Sequence, residues 1–140
     1  MTSDEPQDQQ PISKRAARRL IQRAWVLAAR DKRLRQHFRE IRLTTLWVLE
    51  DWNLAWTAVF DRGRIHVERR LAKQPDMTFC WTTAQEFFEQ VDNGIAPEDG
   101  FQFVGTQEHR RLFGPLLKGF LLMLRHVIAN PVDDAGESLV

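Results

Sequence analysis

The chain has a single cysteine, Cys80, in 140 residues, so it cannot form an internal disulfide and must be held by its own core. One domain of that length buries enough apolar surface to do so without disulfide or metal staples. Metal-ligand spacing is lacking as well: His37, His66, His109 and His126 form no H-E-x-x-H pattern, and Cys80 has no cysteine partner. There is no Walker loop and no G-x-G-x-x-G, and Gly100 and Gly105 read as strand-end glycines. The opening residues, MTSDEPQDQQPI, are polar and carry Asp4, Glu5 and Asp8, which sets them apart from a secretory signal and from an acid-poor mitochondrial leader. The final SLV is not the usual peroxisomal tripeptide. A cytoplasmic protein without metal or cofactor is the expectation.

A long uninterrupted apolar run is also missing, although one stretch comes near it. LFGPLLKGFLLML, residues 112 to 124, has Lys118 as its one charge. From Leu112 to Ile128 an α-helix spans only about 25 Å at about 1.5 Å per residue, short of the roughly 30 Å of a bilayer core. Arg111, Lys118 and Arg125 recur seven apart and make one narrow polar stripe, leaving the rest of the circumference apolar. That exceeds the apolar face an ordinary surface helix needs. The N-terminal helix, a partner protein or an apolar ligand could absorb the excess. Pro115 removes a backbone donor, while Gly114 and Gly119 permit close approach.

Charge is unevenly distributed. Residues 13 to 42 carry eleven Lys or Arg against Asp31 and Glu40, whereas residues 43 to 140 carry nine against fourteen acids. The basic helix presents Arg15, Arg18, Arg19 and Arg23, a set suited to an anionic membrane, a partner protein or simply solvent. Nucleic acid is disfavoured by the acidic body and the absence of an RNA-recognition signature, although Trp47, Trp52 and Trp56 could stack on bases.

Residues 1 to 12 hold too few apolar groups to offset their ordering entropy and are expected to be disordered. Ser13 offers an N-cap, and Ala17, Leu20, Ile21, Ala24, Leu27, Ala28, Leu34, Phe38 and Ile41 recur at helical spacing, with a lapse near Asp31. The period then changes to two over residues 42–51, 53–63, 64–70 and 76–82, whose short connections predict antiparallel neighbours. Leu54, Trp56, Ala58 and Phe60 share one face; the weaker apolar character of the other face leaves it to water. Thr82 or Thr83 caps the next helix, with Glu86 placed as a capping-box partner to Thr83 and Gly94 as its end. Residues 100–106 read as a fifth strand, and Thr106 caps a final helix that stops at Asn130-Pro131. The fold class is therefore α+β, a five-stranded mainly antiparallel sheet with helices on one face. The domain occupies residues 13–130, followed by a flexible acidic tail at 131–140.

Chemistry is thin. His66 and Glu68 share a strand face and could form an acid and base pair, but exposed charge ladders on sheets are common. Cys80, between Phe79 and Trp81, reads as an inert thiol. A non-enzymatic role follows.

The succession of Trp56 to Val67 (W…F-D-x-G-x-[IV]-x-V), Pro75 to Trp81, Thr83 to Phe88, Gly94 to Pro97, Phe101 to Gly105 and the greasy closing helix resembles the sterol carrier protein lipid-transfer family over roughly residues 25 to 128. That resemblance implies a tunnel under the last helix for a fatty acyl, sterol-like or isoprenoid quinone-type lipid. Trp81, Phe87, Phe88, Phe101, Phe103, Phe113, Leu116, Leu117, Phe120 and Leu121 would line it. It also implies an apolar lipid ligand and a possible partner enzyme of lipid or quinone metabolism. The sequence departs from the family in the short acidic IAPEDG stretch and at Thr106. The alternative is a protein-interaction module that uses the same apolar helix or the basic one.

Overall fold

The computed structural model describes residues 12–140. Of residues 1 to 12, expected to be disordered, 1 to 11 lie outside the described part, while Ile12 packs half-buried against the core. Helix α1, Lys14–Arg30, starts where the Ser13 hydroxyl accepts from the Ala16 amide. Asp31 closes α1 and caps α2, Lys32–His37, by accepting from the Arg33 amide at 2.8 Å. The lapse in the apolar stripe is thus a real break, because a residue that caps the next helix is held outside helical geometry.

Strands β1 (Arg42–Leu49), β2 (Leu54–Asp61) and β3 (Arg64–Glu68) form an antiparallel meander. Asn53 takes a left-handed backbone, φ 49°, between β1 and β2. Strand β4 (Met77–Trp81) does not join β3, as its short connection suggested. It crosses to lie parallel beside β1, and β5 (Phe101–Gly105) adds to its far side, so the sheet order is β3-β2-β1-β4-β5. Asp76 pins that register: its amide donates to the Thr44 carbonyl and its carboxylate accepts from the Thr44 amide, both at 2.8 Å. The crossover leaves the sheet mainly antiparallel, with one parallel pair.

Helix α3, Ala84–Asn93, carries the expected capping box. Thr83 accepts from the Glu86 amide and donates to the Glu86 carboxylate, and Gly94 ends the helix at φ 76°. Gly100 also has positive φ, 89°, and a side chain there would collide with the Glu86 carboxylate. Thr106 caps a short 3-10 turn at Gln107–His109, which leads into α4, Arg110–Ala129.

The alternation on β2 places Leu54, Trp56, Ala58 and Phe60 in the core, where Leu43, Trp47 and Leu49 of β1 and Met77, Phe79 and Trp81 of β4 join them. The helices cover this face, and α1 lies alongside α4 and β3. On the opposite face Thr57 is buried even so, since its hydroxyl donates to the Arg70 carbonyl and accepts from the Ala72 amide as the β3-to-β4 connection passes over it. Two buried indoles are satisfied locally: Trp47 donates to Thr45, and Trp81 donates to Gln90, both at 2.8 Å.

The acidic tail is docked rather than loose. Val132 bridges to Ser138, the Leu139 amide donates to the Pro131 carbonyl and the Leu139 side chain is buried. Asp134 accepts from Arg23 and Arg30 of α1 at 2.9 to 3.0 Å. Those hydrogen bonds, from Arg30 first and then Arg23, hold its carboxyl well below the usual carboxylate range. A depressed folded-state pKa gives a contribution that is complete above the ordinary carboxylate pKa and is lost as pH falls through the folded value. Tail docking is therefore expected to be constant from neutral pH to about pH 5 and to weaken toward strongly acidic pH. Because Asp134 is exposed, the effect on global stability is small. Hydrogen exchange at the Leu139 amide, slow at neutral pH and faster in Asp134→Asn, is the measurement.

Candidate functional site

By length and composition the segment Gln107–Ala129 would pass as a membrane span. In the folded chain, α4 instead buries Leu112, Leu116, Leu117, Phe120, Leu121, Leu124 and Val127. Its wide apolar surface meets the sheet below, α1 on one flank and α3 on the other. Arg111, Lys118 and Arg125 form the exposed stripe that their spacing requires, with Leu122 beside them. Gly119 makes room for the Leu34 side chain of α2, since a Cβ there would sit 3.0 Å from it.

The expected tunnel beneath α4 is filled by protein. Trp25 of α1 stacks on Phe120 at 4.3 Å between ring centroids and meets Trp47 edge-on at 5.3 Å. Trp47 in turn stacks on Phe79 at 4.1 Å. At the other end, Phe113 contacts Phe103 at 4.4 Å and stacks on Phe79, while Trp81 packs on Phe87 and Phe101. Phe88 leans on Phe87 and Trp52. The void bounded by Trp25, Leu34, Phe38, Phe60, Leu116 and Phe120 measures about 10 Å³, room for one water at most and far too little for an acyl chain. The ten residues expected to line a tunnel are thus brought together, but they touch one another and the sheet. Trp25, absent from the apolar stripe read along α1, is the side chain that closes the space.

A larger cavity lies elsewhere. Between α1 and the corner of β2 and β3 there is an open groove of about 330 Å³, lined by Arg18, Ile21 and Gln22 of α1, by Asn53 to Trp56, and by Val67 to Arg69. Ile21, Leu54 and Trp56 are buried and Val67 is half-buried, so the floor is apolar. The rim is polar: Arg18, Gln22, Asn53, Glu68 and Arg69 are all exposed. Glu68 contacts His66 at 3.2 Å. Among the described residues, neither Arg18 nor Arg69 has a carboxylate partner. The buried indole N–H of Trp56 also has no hydrogen-bond partner there.

The four arginines expected to act together divide. Arg15, Arg18 and Arg19 are exposed, whereas the Arg23 side chain is only 15% exposed and is committed to Asp134. Arg23 belongs to the tail clamp and not to a free basic face. Of the site candidates named from sequence, Arg18, Trp56 and Glu68 border the groove, though none was expected to act there; Ile21, Leu54 and Val67 carried a signal of burial but none of a site.

Among the described residues, the acid, base and thiol candidates named from sequence do not converge. Among the described residues no three of His, Cys, Asp and Glu are grouped to hold a metal ion. His66 and Glu68 sit half-exposed on an edge strand. Cys80 lies half-buried on the helix-free face, and burial, reinforced by the Glu50 carboxylate, pushes its thiol up to about 11. It is therefore almost wholly protonated at neutral pH, and the thiolate is the reactive form. Alkylation by iodoacetamide at pH 7.5 is expected to run at least tenfold slower than for a free thiol of pKa about 8.5. Mass spectrometry of the quenched reaction reads this directly, and unfolding in urea should restore the ordinary rate.

No family model and no curated protein matches this chain. Among solved structures it is similar to the stereoselective inverting sec-alkylsulfatase Pisa1 from Pseudomonas sp., at 15% identity and a TM-score of 0.42, over 56% of this chain and 12% of that one. A likeness so partial assigns neither family nor activity.

Proposed function

We propose that this protein binds a lipid-like amphipath in the groove between α1 and the β2-β3 corner, its apolar part against Ile21, Leu54 and Val67 and its anionic end at Arg18 and Arg69. The observation that carries this reading is an apolar floor joined to guanidinium groups that lack carboxylate partners among the described residues. Apolar burial would supply affinity at about 25 cal/mol per Å², and the two arginines would orient the head group. The resemblance to the sterol carrier protein family supports the ligand class, with the site moved from beneath α4 to its neighbour α1. A volume of about 330 Å³ stands at the small end of ligand pockets, which favours a medium acyl chain or a single ring over a whole sterol. Arg15 and Arg19, exposed on the same helix, suit a passing contact with anionic membrane, each contributing about 1 kcal/mol near such a surface. A partner enzyme that supplies or takes the lipid fits the same reading, in which the chain carries its ligand unchanged.

Native mass spectrometry of the purified protein, with displacement of a fluorescent medium-chain fatty acid, tests it. Retained lipid or saturable displacement is the expected result. A protein that is consistently empty and binds no probe sinks the proposal.

A further inference from the structure

The groove has an origin that narrows its ligand. Strand β2 pairs with β1 along its whole length, but β3 accompanies it only from Thr57 to Asp61. Had β3 continued past Glu68, the next residues would have paired with Trp56, Ala55 and Leu54. Instead the Thr57 hydroxyl draws the Arg70 carbonyl and the Ala72 amide over the sheet at 2.7 and 3.0 Å. The chain leaves the sheet edge there. Leu54 and Trp56 turn their backbone N–H and C=O toward β1, so on the outer edge Ala55 alone offers such groups, and they have no backbone partner among the described residues. The groove occupies the vacated strand position, which is why it is lined by consecutive residues on both sides, Asn53 to Trp56 and Val67 to Arg69.

This free edge presents one N–H and one C=O, those of Ala55, since a strand's backbone groups face a given edge on alternate residues. A plain hydrocarbon chain laid along it would cover these groups without satisfying them, at a cost. The amino-acid unit of an N-acyl amino acid would meet both, its amide N–H donating to the Ala55 C=O and a carboxylate oxygen accepting from the Ala55 N–H, as one residue of an added strand does. We infer that the ligand carries an amide between its acyl chain and its carboxylate, as in an N-acyl amino acid, and that Ala55 on the edge of β2 pairs with it in this way. The inference rests on the reading of the groove as an amphipath site. The acyl chain occupies the apolar floor, the amide pairs with β2 and the carboxylate reaches Arg18 or Arg69.

Three probes of similar length and one negative charge separate the parts: undecanoate, N-octanoylglycine and N-octanoylsarcosine, whose N-methyl group removes the amide donor. Titration calorimetry on the full chain is expected to show N-octanoylglycine binding roughly fivefold or more tighter than either of the others, from one or two net hydrogen bonds. Hydrogen exchange at the Ala55 amide should slow with N-octanoylglycine and not with undecanoate. If undecanoate binds as tightly as N-octanoylglycine or more so, the edge is unused and this inference falls while the lipid-binding reading stands. If N-octanoylsarcosine equals N-octanoylglycine, pairing through the amide donor is overturned. If none of the three binds, the groove itself is not an amphipath site and both readings fail.

Discussion

Phe120→Ala is expected to destabilise the protein by about 4 kcal/mol, within the range for removing a buried phenylalanine. Phe120 is 2% exposed and is stacked on Trp25, with Trp47 and Trp56 tilted against it. Truncation removes its own burial and forfeits the aromatic contacts, which contribute about 0.5 to 1.5 kcal/mol beyond area. The indoles around the void belong to three different elements, α1, β1 and β2, so the site cannot collapse by one side chain rotating. Urea denaturation of wild type and variant measures the loss. The result also decides what the greasy helix covers. A Phe120 facing an open lipid tunnel would have few protein contacts to lose, and its removal from the ligand-free protein would cost less than about 1 kcal/mol. A rise in stability of the variant when benzene is added would mark the new apolar cavity, because a ligand bound only by the folded state stabilises it.

Much of this core was legible in the sequence because it follows local periods. Leu54, Trp56, Ala58 and Phe60 alternate along β2, and all are buried. Thr83, Glu86 and Gly94 mark the ends of α3 through side-chain and backbone chemistry confined to one turn. The polar stripe of Arg111, Lys118 and Arg125 likewise depends only on helical geometry. What stayed hidden is non-local. The parallel seat of β4 beside β1 depends on Asp76 meeting Thr44 across 32 residues, and the docked tail depends on Asp134 meeting Arg23 and Arg30 across more than 100. Trp25 closes the space beneath α4 from a helix whose apolar stripe can be read without it. The groove was least visible, since it arises where β3 stops pairing, and no residue type announces that stop.

Joint replacement of Arg18 and Arg69 by glutamate is expected to weaken binding of an anionic amphipath by about 2 kcal/mol, roughly thirtyfold. The estimate takes the lower part of the range for hydrogen bonds to charged groups, because both guanidiniums are exposed and water screens them. Neither side chain has a salt-bridge partner among the described residues, so the double variant should keep its thermal midpoint within the small range typical of surface changes. Charge and cavity can then be separated. In Val67→Trp the rim keeps its charge but an indole enters the groove, so affinity should fall for the acyl probe at every ionic strength. In the arginine variant the loss should be largest at low salt and shrink as salt rises, since screening weakens the wild-type attraction and the new repulsion alike. Equal affinity of the wild type and both variants would place the ligand outside this groove. A large loss in Val67→Trp with none in the arginine variant would instead describe a site that reads the chain and ignores the head group, and the anionic requirement would fall while the cavity remained.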